Sequence, residues 1–338
     1  MNNLKNKVIY LEILRILACF LVIINHTIGY IEVSSSIGIM FKYMLFMFAK
    51  IAVPIFFMIS GYLLLRKDYS YKDIFTKKIP RILVPLIVCS LYYYLKSTDG
   101  FSIVTFCKLL IAKPQITAYW YLYSLIALYL ITPFLRKMIV NFKDKDFIIF
   151  GSIILVFQGV IPLARLLFDI NVAGYFTNNL FSTYVGYYVI GYYLGNKELS
   201  KKSFIISIIS FILMYAFSIV YLMIEYNKTG LYKLPLDNVS YITTVIPSLA
   251  IFVLCKYLFS KDVNSLVGDM IQKVGSATFG IYLFHLIMTN FLYRISIFRS
   301  IISFNGFLGL FCLDGAAFVI LTIIVLILKK IPIIKNYL

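Results

Sequence analysis

The sequence predicts an all-α, polytopic membrane protein with about ten transmembrane helices and both termini in the cytoplasm. Three observations lead there. Of the 338 residues, 62% are hydrophobic and only 14% charged, against about 45–50% and about 25% in soluble domains; so few polar side chains cannot cover a water-soluble fold of this length. The apolar residues fall in runs of roughly 20, the number that crosses a hydrocarbon core of about 30 Å at about 1.5 Å per residue. The charges are lopsided, with 32 Lys and Arg against 14 Asp and Glu for a net +18, and they collect between the runs.

The predicted spans are, in order, 8–30, 41–65, 79–97, 119–139, 147–168, 181–195, 203–224, 240–260, 276–294 and 307–328. The first is longer than the apolar core of a cleaved signal peptide and reads as a signal anchor. The second and third flank RKDYSYKDIFTKKIPRILVP, a basic amphipathic stretch. The fourth ends in Arg136 and Lys137 and the fifth follows Lys143 and Lys145, so a basic turn joins them. The sixth, FSTYVGYYVIGYYLG, is the weakest, being short and rich in Gly and Tyr; without it the C-terminus changes sides. Short segments separate the last four. With the N-terminus inside, roughly two thirds of the basic residues, beginning with Lys5 and Lys7, fall on the inner side. Most of the +18 is therefore an orientation signal, which removes nucleic acid as a partner and leaves the lipid bilayer. No extramembrane run reaches domain size, so one membrane domain fills 1–338. The five cysteines are scattered without a CxxC or Cys/His cluster, and no metal site is expected.

An ionisable side chain at bilayer depth is costly unless it is paired or faces an aqueous cavity, so each is a functional candidate. Six qualify: Glu12, Arg15, His26, Lys50, His285 and Asp314. Arg15 and His26 are eleven residues apart, which returns a helix to nearly the same face about 16 Å further along. Glu12 lies one turn before Arg15, so the three form a polar stripe that must face the protein interior. Glu12 and Arg15 read either as a packing ion pair or as part of a site. His26 is a natural proton acceptor for a hydroxyl, and Arg15 supplies fixed positive charge for an anionic group or a developing oxyanion. His285 and Asp314 fall at similar depth to His26, as a catalytic pair or a neutralised packing contact. Lys50 is a counter-ion for Asp314 or Glu12, or it snorkels to the interface. In the basic stretch, Lys77, Lys78 and Arg81 anchor the chain on anionic lipid or bind the phosphates of a donor.

The chain resembles the acyltransferase-3 family of integral membrane acyltransferases over essentially its whole length. The stretches that carry the likeness are YLEILRILACFLVIINHT, VPIFFMISGYLLL, KKIPRILVPL, AYWYLYSLIALYLITPFLRK and FGIYLFHLIM, in that order. The wording of the second and fourth spans is nearest the surface-polysaccharide O-acyltransferase subgroup; Glu12 stands where many relatives carry Asp. The resemblance implies transfer of an acyl group, most often acetyl, from cytoplasmic acyl-CoA to a hydroxyl of a surface glycan or its lipid-linked precursor. It makes acetyl-CoA a donor substrate, with no permanently bound cofactor. It also implies His26 as general base on the acceptor hydroxyl, with an acyl-carrying nucleophile as the alternative role, and Ser60, Gly61, Trp120, Tyr282, His285 and Asp314 around the substrate. The abundance of Ile, Lys, Asn and Tyr points to a bacterial source, hence to the bacterial cytoplasmic membrane. The rival reading is a transporter or flippase of glycan intermediates or small anions, using the same buried charges as a pathway.

Overall fold

A computed structural model describes residues 9–97, 100–168, 182–230, 238–260 and 265–338. Lys5, Lys7 and the first residues of the predicted first and sixth spans lie outside them. The described residues are helical, with no strand. In order they form α1 (Ile9–Thr27), α2 (Ser36–Ala49), α3 (Ala52–Leu65), α4 (Tyr71–Asp73), α5 (Pro80–Ser97), α6 (Ile103–Ala112), α7 (Trp120–Ile139), α8 (Asp144–Leu155), α9 (Ile161–Phe168), α10 (Thr183–Asn196), α11 (Lys201–Thr229), α12 (Ile242–Phe259), α13 (Ser265–Arg294), α14 (Ser296–Phe304), α15 (Gly306–Leu328) and α16 (Pro332–Lys335).

Among the described residues, eight stretches are long and apolar enough to cross a membrane: 9–30, 36–65, 117–139, 144–168, 201–229, 242–259, 266–294 and 306–328. The chain is an all-α polytopic membrane protein. The third and sixth predicted spans also form helices, α5 and α10, but fall outside this set. Helix α5 carries Arg81, Lys96 and three consecutive tyrosines, which lower its hydropathy. Helix α10 has 14 residues, about 21 Å of helix against a core of about 30 Å. The predicted second span begins earlier than expected and is broken. Lys50 closes α2, and α3 restarts at Ala52, with Pro54 in its first turn, where a missing backbone N–H leaves no helical bond unmade.

The chain divides into two compact units, Met1–Tyr62 with Asp144–Leu326, and Leu63–Lys143 with Ile327–Leu338. In the first, α1 is the central post, packed most heavily on α13 and also on α12 and α2. Its buried residues, from Tyr10 and Leu14 through Ala18 and Ile23, lie on nearly every side, as expected of a helix surrounded by others. Phe20 meets Phe318 of α15 edge-on, and Tyr10 meets Phe252 of α12 in the same way. The Gly/Tyr-rich α10 is explained by its contact with α3. A side chain on Gly61 or Gly191 would overlap the backbone of Tyr188 or Met58 respectively, and one on Gly195 would meet the Tyr62 ring. These glycines let the two helices approach more closely than larger residues permit.

The second unit holds α5, α6 and α7. The Tyr123 hydroxyl donates to the Leu110 carbonyl at 2.7 Å, and Tyr94 packs on Phe106. The Arg136 guanidinium donates to the Leu65 carbonyl and lies 3.9 Å from the Asp68 carboxylate.

Candidate active site

The polar stripe of α1 is real and is covered mainly by α13. At its N-terminal end Arg15 Nη1 donates to Glu12 Oε1 at 2.8 Å, and no other bond of Arg15 forms among the described residues. Glu12 is 6% exposed. It fits because its neighbour on α13 is Gly275, where an added Cβ would collide with the carboxylate. The i,i+3 pair therefore neutralises a buried carboxylate while leaving most of the guanidinium available.

At the other end of α1 three chemistries meet. The His26 ring lies 5.2 Å, centroid to centroid, from that of His285 on α13. His285 has no exposed surface, and its Nδ1 is 2.6 Å from the Tyr282 carbonyl. A carbonyl only accepts, so Nδ1 carries the hydrogen and Nε2 presents a lone pair; that Nε2 has no hydrogen-bond partner. Beside His26, Thr27 Oγ1 donates to Asp314 Oδ2 of α15 at 2.9 Å. Asp314 is fully buried with Oδ1 unpartnered. Thr289, one turn after His285, donates to the His285 carbonyl at 2.9 Å, and Tyr30 donates to Asn290 at 2.8 Å while also interacting with Thr289. The Lys50 ammonium sits 4.2 Å over the Phe46 ring.

Buried polar atoms are normally paired, because an orphan costs about 1–3 kcal/mol. Here Glu12 Oε2, Asn25 Oδ1, His285 Nε2 and Asp314 Oδ1 all lack partners, and all belong to α1 or to helices beside it. Buried polar atoms lack partners elsewhere too, among them Ser90 Oγ, Thr183 Oγ1 and Tyr215 Oη, but the set around α1 is the one that holds carboxylates and an imidazole, the groups that carry acid–base chemistry.

The structure thus brings together Glu12 with Arg15, and His26 with His285, Thr27 and Asp314. His285 and Asp314 are not bonded to each other. Tyr282 contributes its carbonyl to His285 and stands with its ring 5.9 Å away. Gly61 serves the α3–α10 contact, and Ser60 beside it makes no bond with the histidines. Trp120, Lys77, Lys78 and Arg81 belong to the other unit. There Lys77 Nζ pairs with Asp73 at 2.6 Å, Lys78 lies 4.5 Å over the Tyr69 ring, and Arg81 is exposed. The Lys77 ammonium and the Ser70 hydroxyl hold the Asp73 carboxyl below the usual carboxylate range. Sequence reasoning missed Thr27, Tyr30, Thr289 and Gly275. For Thr27 and Thr289 a signal existed, since each lies one residue or one turn from a histidine.

Among the described residues, no group of three or more His, Cys, Asp or Glu is arranged to hold a metal ion. Compared with known families, the chain matches the acyltransferase-3 model, described as an acyltransferase domain, over residues 8–329. No curated protein and no solved structure matches it.

Proposed function

The chain belongs to the acyltransferase-3 family, and on that premise we propose that this membrane acyltransferase moves an acetyl group from cytoplasmic acetyl-CoA to a hydroxyl of a surface polysaccharide or its lipid-linked precursor, in a bacterial cytoplasmic membrane. The observation that carries the reading is the His26–His285 contact on the helix that also holds Arg15. His26 accepts the proton of the acceptor hydroxyl while that oxygen attacks the thioester carbonyl. The tetrahedral oxyanion collapses, the C–S bond breaks, and the leaving thiolate takes the proton back from the His26 imidazolium. The products are an ester and free CoA thiol. General-base action of this kind is worth about 10²–10⁴ in rate. The neutral Nε2 of His285 is the group able to accept an N–H bond from His26, which would orient its other nitrogen toward the hydroxyl. Arg15 supplies positive charge to the donor or to the oxyanion. The phosphates of the donor are assigned to Arg81 and Lys78, with Lys77 recruited from Asp73.

The test is His26→Gln in cells and in purified protein, read by mass spectrometry of the surface glycan and by acetyl transfer from acetyl-CoA. Loss of acetylation with the glycan still exported supports the reading. Intact acetylation refutes the role of His26, and loss of the glycan itself favours a transporter.

A further inference from the structure

A cavity of about 600 Å³ opens where α1 ends, between the 28–36 segment, α2 and the C-terminal end of α11. Gly29, Ser34, Lys42, Tyr43, Phe46 and Tyr226 line it. One feature joins it to the histidines: Gly29, in its lining, follows His26 by three residues, less than one turn of chain. Tyr43, Phe46 and Lys50 recur at steps of three and four, so they share one face of α2, and that face descends from the cavity to Lys50, which lies over Phe46.

The lining has a definite chemistry. Its volume lies in the range of small-molecule sites, about 300–1,000 Å³. Two tyrosines and a phenylalanine offer flat apolar faces with phenolic ends, a surface suited to the C–H faces and hydroxyls of a sugar ring. The one cation among its described lining residues, Lys42, donates to the Ile31 carbonyl at 2.6 Å and pairs with no carboxylate among the described residues. A part-buried ammonium with two N–H groups to spare and no counter-charge favours an anionic ligand.

We propose that this cavity is the acceptor subsite and that it takes a saccharide bearing an acidic group, either a carboxylate or a phosphate, which Lys42 binds while Tyr43 and Tyr226 hold the ring. The proposal rests on the acyltransferase reading. Its test separates the two by measuring binding without any donor. The full chain in nanodiscs is titrated with a glucuronic acid–glucose disaccharide, a 6-phosphorylated diglucose and neutral diglucose, and the source of the negative charge is read from which acidic probe binds. An acidic probe should bind at least about tenfold more tightly than the neutral one. Lys42→Gln should abolish that preference and Lys42→Arg should keep it; Tyr43→Ala should weaken all three probes. Equal affinity for acidic and neutral probes, or a preference that survives Lys42→Gln, overturns the proposal. Acetyl transfer is measured separately on the same samples. Lys42-dependent binding without any transfer refutes the acyltransferase reading and leaves the subsite standing, whereas transfer to saccharides that is indifferent to Lys42→Gln refutes the subsite alone.

Discussion

The imidazoles of His26 and His285 lie side by side across the contact of α1 with α13, centroids 5.2 Å apart and planes tilted by 44°. They are the only two histidines of the chain, yet 259 positions separate them. Because Tyr282 fixes the hydrogen of His285 on Nδ1, the pair combines one imidazole of defined tautomer with one at the end of the polar stripe.

On the proposed mechanism His285 is a positioning residue for His26. His285→Ala should lower kcat for acetyl transfer by about 10²-fold with the KM for acetyl-CoA changed less than about threefold. His285→Gln, whose side-chain carbonyl still accepts near the Nε2 position, should recover a large part of the loss. Equal loss in both variants, or a change confined to KM, would show that the residue only packs.

Gly275 is the space that Glu12 occupies. Gly275→Ala should force the carboxylate off Arg15 or α13 off α1, costing about 1–3 kcal/mol. Thermal unfolding in detergent checks this; an unchanged midpoint would mean that Glu12 has another place to go.

Lys256 of α12 donates to the carbonyls of Leu194, Gly195 and Lys197 at 2.7–2.8 Å. It thereby closes the end of α10, where a cation also complements the helix dipole. Lys256→Met keeps the length of the side chain and removes all three bonds. The expected loss is about 2–4 kcal/mol, seen as a lower unfolding midpoint, with acetyl transfer per folded molecule retained.

Asp73 holds Lys77 and is itself held below the usual carboxylate range by it. Its depressed value means the pair persists above the ordinary carboxylate pKa and is released as pH falls through the lowered one. At neutral pH, Asp73→Asn should free Lys77 and lower the KM for acetyl-CoA about two- to threefold, and Lys77→Ala in the same background should reverse that gain. A KM unmoved by either change would remove Lys77 from the donor site.

Hydropathy made the helices legible because a lipid-facing residue must be apolar wherever it sits, and that requirement is local. Its signal was weakest at α10, whose glycines answer to the close approach of α3 rather than to lipid, and it did not foresee the break at Lys50, where one predicted span became two helices. The stripe of Glu12, Arg15 and His26 was legible for the same local reason: helix periodicity alone places them on one side of α1.

The sequence by itself determined an all-α membrane protein, its family, and a short set of ionisable residues too costly to bury without purpose. Only the tertiary structure decided their partners. It placed His26 against His285 rather than His285 against Asp314, tied Asp314 to Thr27, and gave Glu12 its room beside Gly275. The physical reason is range. Burial cost and helix period act within a residue or a turn, whereas a hydrogen bond or ring contact needs atoms within a few ångströms that only the packing of distant helices can bring together.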